Sequence, residues 1–394
     1  MPLRALLRPL LPGLAFALAL GGTAAEIPAF APGPFAVATT NLEVRPQADA
    51  KAMFTFLNGE PASGHFRYLT DILVHPEAVP TLQVDVPADA KTYGSYAGQR
   101  VPVVLLVVYP TTAANARPDY IFPYTETGDR TFSHMQRPGE GPLFADPAAK
   151  YPLILLSGGY NTHGLWHLFR LKDLAAHGYI VLDVFHGDGR SGSLQANLAL
   201  RGLALRRALD FVLADPAFGP AIDADRIGVI GESAGAHTAL AALGGTDPSG
   251  RVPASADPRI KAAVGLVPFL GTSFGFWPFT VDAWHFGEDY AGLKHVTKPC
   301  LALYGGRDTS VTPERVEAGV RALAGPTIAV RLDDEGHLLS DPAQRDARAW
   351  ERLFFDAWLR DDAAARQLLD RADSVQGGAP DRVTYRHRSA VSAR

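Results

Sequence analysis

The chain has almost no cysteine, no excess of positive charge and few long apolar runs, and each shortage excludes a class of protein. A single one of its 394 residues, Cys300, is a cysteine, which excludes an internal disulfide bond and a zinc site built from several cysteines. The formal net charge is -4, so the chain offers no basic field for a nucleic-acid backbone. We therefore expect neither a disulfide-stabilised scaffold nor a nucleic-acid partner.

The long apolar run that the chain does have lies at its N-terminus. Arg4 and Arg8 precede an apolar stretch from Leu10 to Leu20, and small residues follow it in GGTAAE. This order is typical of a secretory signal peptide, and we predict cleavage after Ala25. An uncleaved N-terminal anchor is the alternative. After cleavage we expect an exported protein, periplasmic or extracellular, without a transmembrane segment, since no other stretch reaches ~18 apolar residues.

Short apolar runs alternate with amphipathic segments along most of the chain. The runs occupy residues 100–110, 151–159, 179–186, 226–233, 260–269, 299–308 and 327–337. Segments with helical spacing lie between them, such as LWHLFRLKDLAAHG, which ends at Gly178. Strands that are joined through helices by right-handed crossovers run parallel. We therefore predict an α/β fold, a mainly parallel sheet with helices on both faces.

Changes of composition divide the chain into segments. We expect the signal peptide at residues 1–25, an N-terminal arm and leading strands at 26–97, the α/β domain at 98–361 and a polar tail at 362–394. From residue 371 to residue 394 this segment is polar with isolated apolar residues, which predicts a loose basic tail. Within the domain, residues 270–298 form a lid-like insertion.

A Gly-x-Ser-x-Gly sequence stands where one apolar run gives way to a helical segment. VIGESAGAHTAL places Ser233 between Gly231 and Gly235. A serine on such a strand–turn–helix is a nucleophile elbow, whose strained backbone exposes the hydroxyl and requires small neighbours. We predict that Ser233 is a nucleophile. The alternative is a serine that only caps the helix.

A serine hydroxyl becomes a good nucleophile when a histidine, oriented by a carboxylate, takes its proton. Asp308 follows one predicted strand in LYGGRDTS, and His337 follows the next in DDEGHLL. The order serine, acid, histidine is that of α/β-hydrolases. A turn-capping Asp308 and a surface His337 are the alternatives, and other candidates for the acid are Asp282, Glu288, Asp289, Asp333 and Asp334.

The same chemistry needs two backbone donors for the oxyanion of a tetrahedral intermediate. Ala234, directly after the serine, is expected to supply one N–H. The second is expected from the loop after YPLILLSGG, where we favour Tyr160 and keep Gly159 as the alternative. These parts require neither a metal nor a cofactor.

The chain resembles α/β-hydrolases of the platelet-activating-factor acetylhydrolase and dienelactone-hydrolase-like group. The resemblance is carried by YPLILLSGGYNTHG, LKDLAAHGYIVLDVFHGDG, IDADRIGVIGESAGAHTAL and KPCLALYGGRD, and it covers residues from about 100 to about 360. It implies the α/β-hydrolase fold, with Ser233 as nucleophile, Asp308 as acid and His337 as base. It also implies Ala234 and Tyr160 as the oxyanion donors.

The chain departs from this group at two positions. Gly158 and Glu232 stand where the group often has histidine, which affects the expected substrate more than the chemistry. Glu232 either points into solvent or makes a structural pair. VFHGDGRSG is similar to the group's His-Arg-Asp segment, which makes His186 and Asp188 structural or pocket-edge residues rather than catalytic groups or metal ligands.

Aromatic residues are concentrated in the predicted insertion. It contains Phe274, Phe276, Trp277, Phe279, Trp284 and Phe286. We expect Phe276, Trp277 and Trp284 to line a substrate pocket, the alternative being a small core under a loop.

The predicted function is that of an exported serine hydrolase that cleaves a small-molecule or lipid-like carboxylic ester through an acyl-enzyme. The alternatives are an amidase, peptidase or polyester hydrolase with the same triad, and a secreted binding module without turnover.

Overall fold

The computed structural model describes residues 25–46, 50–62, 65–124, 129–253, 255–270 and 286–387. The predicted signal peptide lies outside these residues except for Ala25, and so do residues 271–285 of the predicted insertion. The strands are β1 (Ala25–Ile27), β2 (Ala36–Thr39), β3 (Glu60–Ala62), β4 (His65–Arg67), β5 (Thr81–Asp85), β6 (Arg100–Thr111), β7 (Tyr120–Ile121), β8 (Thr131–Phe132), β9 (Tyr151–Ser157), β10 (Ile180–Phe185), β11 (Ile222–Glu232), β12 (Ile260–Leu266), β13 (Cys300–Gly305), β14 (Thr327–Leu332), β15 (Ala372–Val375) and β16 (Asp381–His387).

The α-helices are α1 (Ala50–Asn58), α2 (Ala90–Tyr93), α3 (Leu168–Ala176), α4 (Leu194–Ala214), α5 (Ala234–Ala242), α6 (Pro313–Ala322), α7 (Asp341–Leu359) and α8 (Ala363–Leu369). Short 3-10 helices occupy Leu69–Ile72, Gly94–Tyr96, Gly164–His167, Asp188–Arg190, Gly219–Ala221 and Ala291–His295. Among the described residues, no helix is long and apolar enough to cross a membrane.

A ten-stranded sheet forms the centre of the fold, in the order β16-β14-β13-β12-β11-β9-β10-β6-β2, with β5 also paired to β6. The six strands from β14 to β10 run parallel to one another. The seven predicted strands are present as β6 and β9 to β14, and the prediction of a mixed α/β fold with a mostly parallel sheet is confirmed. The carboxyl ends of the parallel strands therefore meet at one edge of the sheet.

One predicted strand, β6, runs antiparallel to its neighbour β10. This strand is an exception within the mainly parallel sheet that the sequence predicts. The chain between β6 and β9 contains β7 and β8, and its described residues, 112–124 and 129–150, form no α-helix. Without a crossover helix, nothing in this connection imposes a parallel direction.

Helices cover the sheet on both faces. Along β9, Leu153 and Leu155 join the apolar cluster that contains side chains of α4, α5 and α6. Ile154 and Leu156 join the cluster on the opposite face, which contains side chains of α1, α3 and α7. Because both faces are buried, these strands read in the sequence as continuous apolar runs rather than as alternating ones.

The segment after residue 361 forms regular elements through residue 387, so the prediction of a loose tail is wrong for residues 371–387. This segment forms α8, then β15, which pairs with β1, and then β16, which pairs antiparallel with β14 at the edge of the central sheet. The side chain of Asp381 in β16 accepts the indole N–H of Trp350 at 2.7 Å. An edge strand needs backbone partners more than apolar side chains, so its polar sequence resembles that of a tail.

A buried ion pair joins two helices on one face of the sheet. The Nε of Arg170 in α3 lies 3.0 Å from both carboxylate oxygens of Glu351 in α7, and neither side chain is exposed. A further nitrogen of the same guanidinium donates to Gln344 at 2.6 Å. Removing one partner of such a pair leaves an uncompensated charge in the interior.

We predict that Glu351→Ala lowers the free energy of unfolding by about 3–5 kcal/mol, since the Arg170 guanidinium then remains buried without its counter-ion. Urea denaturation followed by circular dichroism measures this change. The matched control is Asp85→Ala, which breaks a surface pair with Arg100 whose side chains are 75% and 71% exposed. The control should lose at most about 1 kcal/mol. Equal losses in the two variants would contradict the prediction.

Candidate active site

Ser233 lies on the turn between the end of β11 and the start of α5. Its backbone has φ 48° and ψ -113°, a region that residues other than glycine seldom occupy. The turn is held by backbone bonds from the Ser233 N–H to Leu266 O at 2.9 Å and from the Phe269 N–H to Ser233 O at 3.1 Å. The serine side chain makes no capping bond to α5. The alternative of a serine that serves only as a helix cap therefore has no support in the geometry.

The turn is possible because Gly235 has no side chain. A Cβ at this position would lie 1.8 Å from the carbonyl oxygen of Ser157, the last residue of β9. The first turn of α5 therefore packs directly against the end of the neighbouring strand.

His337 lies between Ser233 and Asp308. Its Nε2 is 3.0 Å from the Ser233 hydroxyl, and its Nδ1 is 2.7 Å from one oxygen of Asp308. The other Asp308 oxygen accepts the backbone N–H groups of Ser310 at 2.8 Å and Val311 at 2.9 Å. Ser233 and Asp308 are 4% and 3% exposed, whereas the His337 side chain is 24% exposed. The imidazole thus bridges a buried carboxylate and a buried hydroxyl while remaining accessible from one side.

The rival acids that the structure describes have other surroundings. Asp333 pairs with Arg331 at 2.6 Å and with Arg382 at 3.2 Å, and Asp334 pairs with Arg307 at 2.5 Å. Glu288 and Asp289 are exposed. Asp282 lies outside the described residues. Among the described candidates, Asp308 is the acid whose carboxylate is within hydrogen-bond distance of His337.

The loop after β9 is held from one side by Arg201, a buried residue of α4. Its guanidinium donates to the carbonyl oxygens of Gly158 at 2.6 Å and Gly159 at 2.5 Å. Asp188 binds the same guanidinium at 2.9 and 2.5 Å and also accepts the Asn161 N–H at 2.7 Å. Asp188 thus has a structural partner in Arg201, and the pair fixes the course of this loop.

Of the two candidate donors in this loop, Gly159 already has an acceptor. Its N–H donates to Glu232 at 3.2 Å. The carbonyl of Gly159 points to Arg201, and in a trans peptide the following N–H, that of Tyr160, points the opposite way. Tyr160 therefore remains the preferred partner of Ala234, which is the first residue of α5 and is completely buried.

His186 is buried beside the same loop. Its Nε2 lies 2.8 Å from the hydroxyl of Ser157. Burial, with the nearby charges of Arg201 and Arg190, holds the pKa of His186 far below its usual value. The imidazole is therefore neutral and supports the end of β9.

Glu232 makes structural contacts rather than pointing freely into solvent. Its Oε2 is 2.8 Å from Nε2 of His167, whose Nδ1 is 3.1 Å from Arg170. Burial by itself would raise the pKa of Glu232, but its interactions with His167, Arg170 and the Gly159 N–H lower it to about 2. The carboxylate is therefore ionised at neutral pH.

Sequence reasoning did not identify Arg201, His167 or Arg170. The signal for Arg201 was present in LALRGLALRR, where an arginine interrupts a largely apolar helix. Such an arginine is seldom buried without an acidic partner, so it indicates an ion pair.

A groove of about 390 Å³ is lined by two residues that are adjacent in sequence to the triad, Glu232 before Ser233 and Leu338 after His337. Its apolar wall includes Trp166, Phe169 and Leu338, and Leu338 is 68% exposed. The remaining lining residues are Asp129, Leu165, Leu339, Asp341, Gln344, Arg345 and Arg348. The sequence did not indicate this wall.

The predicted pocket residues Phe276, Trp277 and Trp284 lie outside the described residues. Phe286, from the same aromatic cluster, is described and is 2% exposed. Its ring centroid lies 4.6 Å from that of His237 in α5. This aromatic side chain therefore belongs to the packed interior.

Comparison with protein-family models finds no match for the chain, and comparison with curated proteins finds no significant match. Within the part of the chain that the structure describes, no group of three or more histidine, cysteine or acidic side chains could hold a metal ion.

We predict that Gly235→Ala destabilises the fold by about 1–3 kcal/mol or more, because the new methyl group overlaps the Ser157 carbonyl and forces the backbone to shift. Differential scanning calorimetry measures the loss as a lower Tm. Gly192→Ala is the control, since a Cβ there meets nothing within 4 Å. A Tm for Gly235→Ala equal to that of the control would show that the helix and strand do not approach so closely.

Proposed function

We propose that the protein is a serine hydrolase that cleaves carboxylic esters through an acyl-enzyme. The observation that carries the proposal is the continuous contact from the Asp308 carboxylate to His337 at 2.7 Å and from His337 to the strained Ser233 at 3.0 Å. A nucleophile, a base within hydrogen-bond reach and a group that orients the base are the parts that acyl transfer requires.

In the first half of the reaction, the Ser233 oxygen attacks the ester carbonyl while His337 Nε2 accepts the hydroxyl proton. Asp308 holds Nδ1 protonated and stabilises the imidazolium. The carbonyl oxygen becomes an oxyanion that accepts the N–H groups of Ala234 and Tyr160. When the carbon–oxygen bond to the alcohol breaks, His337 returns its proton to the leaving oxygen.

In the second half, water replaces the alcohol. His337 takes a proton from the water molecule while the water oxygen attacks the carbonyl carbon of the acyl group bound to Ser233. Collapse of the second tetrahedral intermediate releases the carboxylic acid and returns the proton to the serine oxygen. The cycle is complete without a cofactor.

Topology supports assignment to the α/β-hydrolase fold, in the platelet-activating-factor acetylhydrolase and dienelactone-hydrolase-like group that the sequence resembles. Ser233 follows β11, Asp308 follows β13 and His337 follows β14. These strands are joined through parallel pairings, so all three side chains belong to the edge formed by their carboxyl ends. The proposed oxyanion loop follows β9 at the same edge.

The substrate is proposed to be a small-molecule or lipid-like ester, one group of which extends into the groove that Glu232 and Leu338 line. Trp166, Phe169 and Leu338 offer apolar contact to one of its groups. The predicted signal peptide makes the enzyme an exported one.

We predict that Ser233→Ala abolishes labelling by a fluorophosphonate probe and lowers kcat for p-nitrophenyl esters on the order of 10⁶-fold, since removal of one triad member disables the unit. Esters from acetate to palmitate, with a matched anilide, form the substrate panel. Ser374→Ala in β15 is the control and should retain both activities. A folded wild-type protein that neither reacts with the probe nor hydrolyses any ester or anilide would instead be a binding module.

We predict that Asp308→Asn lowers kcat by about 10³ to 10⁴, because the amide favours the wrong tautomer of His337 and does not stabilise the imidazolium. Steady-state hydrolysis of the best p-nitrophenyl ester measures the loss. Asp334→Asn, which removes a neighbouring exposed carboxylate, should change kcat little. The acid is misassigned if Asp308→Asn retains kcat, or if substitution of Glu288 or Asp289 gives the large loss instead.

A further inference from the structure

The carboxylate of Glu232 joins the turn that carries Ser233 to the loop that carries Tyr160. Glu232 directly precedes Ser233, and its Oε2 accepts the N–H of Gly159, the residue before Tyr160, at 3.2 Å. Because one side chain connects the two segments whose separation sets the oxyanion hole, we propose that Glu232 is a positioning residue that holds the Tyr160 N–H at the correct place relative to Ser233. This inference rests on the proposed function.

Opposite charges hold the two ends of one peptide group. The C=O of Gly158 accepts from Arg201 at 2.6 Å, and the N–H of the same peptide, at Gly159, donates to Glu232. Two consecutive glycines would otherwise allow this segment many backbone conformations. The next carbonyl, that of Gly159, is held by Arg201 at 2.5 Å and by the hydroxyl of Thr162 at 2.9 Å. The plane of the Gly159–Tyr160 peptide is therefore determined, and with it the direction of the Tyr160 N–H.

Glu232 can hold the Gly159 N–H in place because other buried side chains hold the Glu232 carboxylate itself. His167 binds it at 2.8 Å, Arg170 supports His167 at 3.1 Å, and Glu351 of α7 holds Arg170. The carboxylate is ionised at neutral pH, and a hydrogen bond to an ionised acceptor is roughly twice as strong as one between neutral groups. A neutral side chain at position 232 would hold the Gly159 N–H less firmly.

The expected effect falls on the transition state. The oxyanion forms only after the serine has attacked, so a displaced Tyr160 N–H weakens binding of the tetrahedral species and leaves binding of the intact ester nearly unchanged. A displacement of about 1 Å can reduce the rate 10²-fold. Loss of the anchor should therefore lower kcat and preserve KM.

The experiment compares Glu232→Ala and Glu232→Gln with the wild-type protein. For each protein, kcat and KM are measured with p-nitrophenyl acetate, and Ki is measured with a trifluoromethyl ketone, whose serine adduct places an oxyanion in the same hole. We expect Glu232→Ala to lower kcat/KM and raise Ki by the same factor, on the order of 10- to 100-fold. Glu232→Gln, which can still accept the Gly159 N–H, should recover most of this loss. Glu77→Gln removes a surface carboxylate that is 66% exposed and should leave both constants unchanged.

The outcomes separate the inference from the proposed function. A wild-type protein that is active and binds the ketone, with unchanged Ki in both Glu232 variants, would overturn the inference alone. A loss that is confined to KM or to Tm would also overturn it, since a merely structural residue gives that result. If Glu232→Ala does not fold, Glu232→Leu, which is closer in size but accepts no hydrogen bond, supplies the same comparison of kcat/KM with Ki. A wild-type protein that neither hydrolyses esters nor binds the ketone would defeat the proposed function itself.

Discussion

The candidate site depends on how closely the first turn of α5 approaches the end of β9. A side chain at Gly235 would overlap the Ser157 carbonyl, 1.8 Å away, so the two backbones are in direct contact. This contact places the turn at Ser233 next to the loop that begins at Gly158. The left-handed backbone of Ser233 costs about 1–3 kcal/mol, and it persists because the surrounding structure determines it. One steric constraint thus sets the candidate nucleophile and the proposed oxyanion loop side by side.

Charged side chains occupy the interior around this contact. Asp188 and Arg201 lie on one side of the loop with exposed fractions of 2% and 1%, and Glu232, His167 and Arg170 lie on the other. Buried ion pairs contribute less to stability than well-packed apolar groups of the same size, because desolvation offsets their attraction. At this position these charged side chains act on the geometry of the site. They make directional hydrogen bonds that fix the conformation of the glycine-rich loop after β9.

Prediction from the sequence succeeded where the relevant forces are local or repetitive. The strands β6 and β9 to β14 were found because a sheet buried on both faces needs apolar residues at every position. The local structure around Ser233 was predictable for a similar reason. A strand, a sharp turn and a helix within a dozen residues leave few other conformations for the backbone of this serine. Prediction failed for β16, whose residues are polar and whose position depends on a backbone partner, β14, that lies more than forty residues earlier.

The sequence by itself determined the α/β class, the order of serine, acid and histidine, and the turn that carries Ser233. Each follows from residue types over short spans of the chain or from the order of elements. Only the tertiary structure decided that Asp308, and not Asp333 or Asp334, meets His337, and that Glu232 holds the Gly159 N–H. Ser233 and His337 are separated by 104 residues, and Glu232 and Gly159 by 73. Contacts between residues so far apart in the sequence depend on strand order, register and side-chain direction. These are fixed by the packing of the sheet and helices rather than by any local sequence pattern.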